Sequence, residues 1–195
     1  MKKENKQGLE SLNYLVEVTD KEGRFIQRIA APSKSFVQQW NQVINVQAKQ
    51  SALLIKDTGG VNRNVTPAIE MNYLQIHAGA GVTAYGIRVG KGTTAVTITD
   101  YALEAPLAQG VGVDQVTHVA STYTVPSVDG SDCSFTIRRS MINNSGATIT
   151  GIKEIGAYMR MVSYYGLAFR DVLPSPVYVP HGGSITVTYT IKVTV

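Results

Sequence analysis

The chain has 195 residues, 44% of them hydrophobic and 16% charged, with 18 basic against 14 acidic side chains and a net charge of +4. That length suits one well-buried domain, and the charged share lies below the roughly 25% usual for soluble domains, so the composition reads as globular with a Thr/Val/Gly-rich surface suited to packing against copies of itself or other proteins. A single cysteine, Cys133, excludes an intrachain disulfide and a Cys-cluster zinc site.

Residues 1–10 are expected to form a flexible basic arm and residues 11–195 a single domain. Lys2, Lys3 and Lys6 give the arm its charge. A contact with nucleic acid or an acidic surface is the functional reading of such an arm, and a solvated terminus is the plainer one. Met1 to Gly8 hold no apolar stretch, so no signal peptide is expected. No run approaches the roughly 18 apolar residues that a membrane helix requires, and no membrane partner is expected.

Leu12, Tyr14, Val16 and Val18 alternate with polar residues and predict a strand, Asp20-Lys21-Glu22-Gly23 a turn, and Arg24 to Ala30 the returning strand. The period then changes. Phe36, Val37, Trp40, Val43 and Ile44 recur at helical spacing, and Ser35 with Gln38 fits a capping box. These predict one amphipathic helix over about 35–47, with Trp40 anchoring it to a sheet. Ala52 to Lys56 and Val61 to Val65 flank a hairpin turn at Asp57-Thr58-Gly59-Gly60, and a short strand is expected at Tyr85 to Val89. Thr99 to Leu103 fits one helical turn capped by Thr99.

The rest reads as strand and turn. Gln115–Val125, Cys133–Ile142, Ile149–Met159, Ser163–Phe169, Val177–Val179 and Ser184–Val195 are separated by breaker clusters that include Pro174-Ser175-Pro176. The closing segment alternates Ile185, Val187, Tyr189, Ile191, Val193 and Val195 with Thr and Lys, the period-two signature of a strand with one buried face. The expected fold is mainly β, an antiparallel β-sandwich of jelly-roll type with the helix packed on it. Long strands with Thr on the wet face leave edges that a symmetric assembly satisfies.

Chemistry is hard to place. Gly79-Ala80-Gly81-Val82-Thr83-Ala84 has dinucleotide-loop spacing, yet Tyr85-Gly86-Ile87-Arg88-Val89 continues it as a strand where a helix must open. Gly86 to Gly92 lacks the Ser or Thr that a phosphate loop places after its lysine. His77, His118 and His181 have no metal-binding spacing and are expected to be structural. Glu104, Glu154 and Asp171 are the acids considered for paired-carboxylate hydrolysis, and nothing in the sequence marks them out. Arg170 and Asp171 are expected to pair with each other, Gly156 to permit a close backbone approach, and Cys133 to be a buried filler. No catalytic, cofactor-binding or metal-binding residue is assigned, no cofactor is expected, and the chain is not read as an enzyme. The ten tyrosines leave open a groove for glycan or peptide.

Three sets of segments, in order, resemble structural proteins of tailed-bacteriophage virions. The first is Val18-Thr19-Asp20-Lys21-Glu22-Gly23 with Lys34-Ser35-Phe36-Val37-Gln38-Gln39-Trp40. The second runs Gly86-Ile87-Arg88-Val89-Gly90-Lys91-Gly92-Thr93-Thr94, then Thr99-Asp100-Tyr101-Ala102-Leu103 and Pro106-Leu107. The third is Asn143-Asn144-Ser145-Gly146, Lys153-Glu154-Ile155-Gly156, Leu167-Ala168-Phe169-Arg170-Asp171 and the strand after Val179-Pro180. The resemblance spans residues 18–195. It implies a β-rich, non-enzymatic virion part of the capsid, neck or tail, assembled in the host bacterial cytoplasm as a homo-oligomer touching other virion proteins. The alternative is a host-recognition or carbohydrate-binding β-sandwich module.

Overall fold

The computed structural model describes residues 9–33, 36–49, 51–67 and 74–194. Strands β1 (Leu9–Thr19) and β2 (Phe25–Ser33) form the first hairpin. Its turn is held by the Asp20 carboxylate, which accepts from the N–H groups of Glu22 and Arg24. Helix α1 (Gln38–Lys49) follows, then the hairpin of β3 (Leu53–Lys56) and β4 (Asn62–Val65) and the short β5 (Gly86–Gly90). Four brief strands come next, β6 (Ala108–Gln109), β7 (Gln115–His118), β8 (Thr122–Tyr123) and β9 (Ser127–Asp129). Four long ones close the chain, β10 (Asp132–Ile142), β11 (Ile149–Met161), β12 (Tyr164–Val179) and β13 (Ser184–Thr194).

The strands make an eight-stranded sheet in the order β2-β1-β13-β10-β7-β6, with β8 and β9 also on β10, and a three-stranded sheet β12-β11-β5. The two sheets face each other across one hydrophobic core, so the fold is the mainly β, sandwich-like arrangement with one helix that the periodicities predict. Alternation puts whole rows of side chains on the inner face. Leu12, Tyr14, Val16 and Val18 of β1 stand opposite Ile191, Tyr189, Val187 and Ile185 of β13. Phe169 of β12 meets Tyr189 edge-on at 4.6 Å and ties the sheets together. Each such residue removed from water contributes about 1.5–3 kcal/mol.

The last strand does not wait for a neighbouring copy. β13 lies between β1 and β10 and pairs with both along its full length. Its Thr face is only partly wet, since Thr186 is buried and shares a 2.7 Å hydroxyl bond with Ser140. Val193 falls past the core and is 48% exposed.

Three other expectations are corrected. The helix starts at Gln38, because Val37 N–H donates to Ala168 O and Phe36 bridges Phe169, which draws these residues along the edge of β12. Ser35 of the expected capping box lies outside the described residues, as does Met1–Gly8 of the arm, while Leu9 and Glu10 already pair with Thr194 and Val193. No helical turn forms at Thr99 to Leu103; that stretch is loop, bonded to the outer face of the small sheet. Finally, Pro174-Ser175-Pro176 does not end a strand. β12 runs through it, because the register moves from Glu154↔Val172 to Ile152↔Val177 and the prolines occupy the bulge, where no ladder N–H is required.

Trp40 is half-buried and packs on the core, with its ring 5.2 Å from Phe36 and 6.1 Å from Phe169. The anchoring role expected of it therefore belongs to this aromatic trio.

Candidate functional site

The outer face of the three-stranded sheet holds the buried ion pair of Glu154 and Arg170. Glu154 on β11 is wholly buried, and every bond it accepts serves the loop that follows β5 or holds Arg170. Its carboxylate accepts from the N–H groups of Gly92 at 3.1 Å, Glu104 at 3.0 Å and Ala105 at 2.6 Å, and from Arg170 Nε at 3.0 Å. Arg170, 3% exposed at its side chain, also donates to Asp100 at 2.9 Å and lies 3.6 Å from Glu104. Arg170 and Asp171 do not pair with each other, since neighbours in a strand point to opposite faces. Asp171 faces the core, where it accepts from Ser33 Oγ and Tyr189 Oη.

Glycine makes the docking possible. A Cβ on Gly156 would lie 2.7 Å from Phe169 O and 2.8 Å from Leu103 Cδ2, so only glycine lets the loop settle on the sheet. Leu103 N–H then donates to Tyr158 Oη. Burial raises the Tyr158 pKa, partly opposed by that N–H. Glu104 takes the N–H groups of Thr93 and Thr94, and these bonds, with Arg170's charge, hold its carboxyl below the ordinary range.

A second buried cation lies on the other sheet. Arg139 stands on the inward parity of β10, between Ile137 and Met141, and is 1% exposed. Its guanidinium donates to the carbonyls of Val119, Ile87, Gly79 and Val82 at 2.7–3.2 Å. Burial, with Arg88's charge, pulls its pKa down to about 10. The Gly79–Ala84 loop with dinucleotide spacing thus presents carbonyls to a cation, the opposite polarity from a phosphate cradle.

The three histidines stay apart. His118 is buried, and Gln109 Oε1 accepts from both its N–H and its Nδ1–H. Burial, then the charges of Arg139 and Arg88, lower its pKa to about 3. His77 lies edge-on to Tyr123, and His181 Nδ1 accepts from Gly146 N–H. Cys133 is half-buried and free. Among the described residues no group of three or more His, Cys, Asp or Glu is placed to hold a metal, and no helix is long and apolar enough to cross a membrane.

Compared with known proteins, the chain matches no family model, no curated protein and no solved structure.

Of the three acids weighed in the sequence, the structure brings Glu104 and Glu154 together at Arg170 and puts Asp171 on the opposite face. Glu154 has four N–H donors on its two oxygens. Sequence reasoning missed Arg139 and the pairing of Glu154 with Arg170. The signal for Arg139 was present, because period two puts it in a row with Phe135, Ile137 and Met141.

Several tyrosine rings are covered by a cation or a second ring, Tyr101 by Lys56 at 5.3 Å among them. Tyr85 and Tyr165 stack on each other at 6.1 Å, Arg160 covers Tyr85, and Arg63 covers Tyr164. Tyr101, 40% exposed, borders a polar hollow of about 470 Å³ with Lys56, Thr94, Asp100, Glu104 and Arg170.

Proposed function

We propose that the chain is a non-enzymatic structural component of a tailed-phage virion, a capsid, neck or tail part that self-assembles and contacts other virion proteins. One observation carries the reading. The separated segments with the virion-protein pattern, Gly86–Gly92, Thr99–Leu103, Lys153–Gly156 and Leu167–Asp171, converge on the single loop-docking network around Glu154 and Arg170. Their characteristic residues hold a loop in shape and leave no convergent set of reactive groups, which favours a part over a catalyst. The chain is expected in the particle, assembled in the host bacterial cytoplasm. Gradient-purified particles probed with an antibody to this chain test the proposal: it co-sediments with the particles, whereas recovery only in the soluble fraction refutes it.

The hollow beside Tyr101 favours a second reading, a host-glycan recognition module, because a part-exposed ring beside carboxylates and hydroxyls suits a sugar. A glycan array separates the two. Saturable binding that Tyr101→Ala abolishes supports recognition, and no binding on any glycan leaves the assembly reading alone.

A further inference from the structure

Among the described residues, the eight-stranded sheet ends in β2 on one side and, along β10, in β8, β9 and, beyond β7, β6 on the other. β5 is capped by its own following loop, through Lys91 N–H to Ala105 O and Leu107 N–H to Val89 O. The outer edge of β12 is covered by Val37 N–H to Ala168 O and Thr58 N–H to Tyr165 O. By contrast, β2 has main-chain ladder bonds only to β1 among the described residues, and β8 and β9 only to β10. Open strand edges are templates for another chain, and on β2 Pro32 confines such pairing to the stretch before it.

Both edges carry bare apolar side chains. Phe25 and Ile26 on β2 are 71% and 53% exposed, and Val125 and Val128 on the β8–β9 side are 85% and 75% exposed. Their charges are opposite. Arg28 is the one charged residue of β2, and its side chain is 68% exposed. Asp129 is the one charged residue of β8 and β9, and it is exposed.

We propose that copies of this chain join head to tail, the β2 edge of one adding to the β8–β9 edge of the next, so that the eight-stranded sheet continues from subunit to subunit. This rests on the self-assembly reading and names its surface. A two-fold β2–β2 pair closes after two copies and leaves Val125 and Val128 bare, while Arg28 keeps its own Glu17 at 3.5 Å. A pair of β9 edges sets Asp129 against its own charge. Only the unlike pairing covers all four apolar residues and brings Arg28 toward Asp129. Pro32 offers no N–H, so the added strand lies along Phe25–Ala31. Such a heterologous contact makes a ring of three or more copies where its rotation closes, and a filament where it does not.

Light scattering on the purified full chain tests this, with Ile26→Lys blocking one edge and Val128→Lys the other. Phe25→Asp and Val125→Lys serve as second variants, and unchanged melting shows that each remains folded. The wild type is expected at three or more chain masses and each single variant at one. An equimolar mixture of the two variants restores a dimer and nothing larger, since each keeps the edge that the other has lost. Arg28→Asp lowers the assembled fraction, and adding Asp129→Arg recovers it. A wild-type dimer, an oligomer that survives both edge variants, or a mixture that stays monomeric overturns the pairing while leaving self-assembly in place. A wild type monomeric at every concentration overturns both.

Discussion

Glu154→Gln is the most searching single substitution in this fold. It keeps the shape and removes one charge from a site where no water can replace it. The carboxylate serves Gly92, Glu104 and Ala105 N–H and Arg170 Nε. An amide presents an NH₂ to one pair of these donors and leaves the Arg170 cation without its buried counter-charge. Breaking a buried pair from one side costs about 3–5 kcal/mol. In a domain of 150–250 residues each kcal/mol moves Tm by about 2–4 °C, so the variant melts roughly 6–20 °C below wild type. Calorimetry at matched protein concentration reads the shift, and hydrogen exchange reads its place, because the Gly92, Glu104 and Ala105 amides lose protection first. A cycle with Arg170→Met adds a coupling of about 1–3 kcal/mol between the two residues. A Tm within about 2 °C of wild type, with those amides still protected, refutes Glu154 as the hub of the loop.

Further outcomes follow from the same contacts. His118 has its folded pKa lowered to about 3, by burial first and then by Arg139 and Arg88. An unfolded histidine titrates near 6.5, so between these values the unfolded chain binds the extra proton and stability falls as pH drops, by up to about 1.4 kcal/mol per pH unit. Urea unfolding at pH 7 and pH 5 shows the loss, and His118→Gln removes that part of it; an unaltered pH slope in the variant contradicts the assignment. Gly156→Ala forces Leu103 and the Phe169 carbonyl apart and destabilises by about 1–3 kcal/mol, measured as a lower urea midpoint at an unchanged slope. Phe169→Ala, at a fully buried ring touching Phe36, Trp40 and Tyr189, costs about 3–5 kcal/mol. Trp40→Ala, at a half-buried ring, costs less, and the reverse order in denaturation midpoints contradicts the packing described.

What the sequence made legible follows from which interactions are local. The strands β1, β10 and β13 announce themselves by alternation, and the Asp57–Gly60 turn by its residues, because both are decided by neighbours in the chain. Asp57 accepts from Gly59 and Val61 N–H, as that turn chemistry requires. The prolines of β12 misled because a breaker in a ladder is harmless in a bulge, and only the pairing with β11 places a bulge there. Thr99–Leu103 misled because Tyr158 and Arg170, more than 50 residues later, claim the Leu103 N–H and the Asp100 carboxylate. The same distance hid the charge network, since no spacing connects Glu154 with Gly92. The position of β13 in the middle of the sheet was equally hidden. Alternation marks a strand but does not reveal whether its edges are filled by its own chain or by another, and here β13 is filled on both sides by β1 and β10.

Copy number in the virion tests the central claim most directly. Quantitative mass spectrometry of gradient-purified phage is predicted to find this chain at many copies per particle, in a whole-number multiple of the subunit count that the purified protein shows in solution. Finished particles that lack it contradict the account.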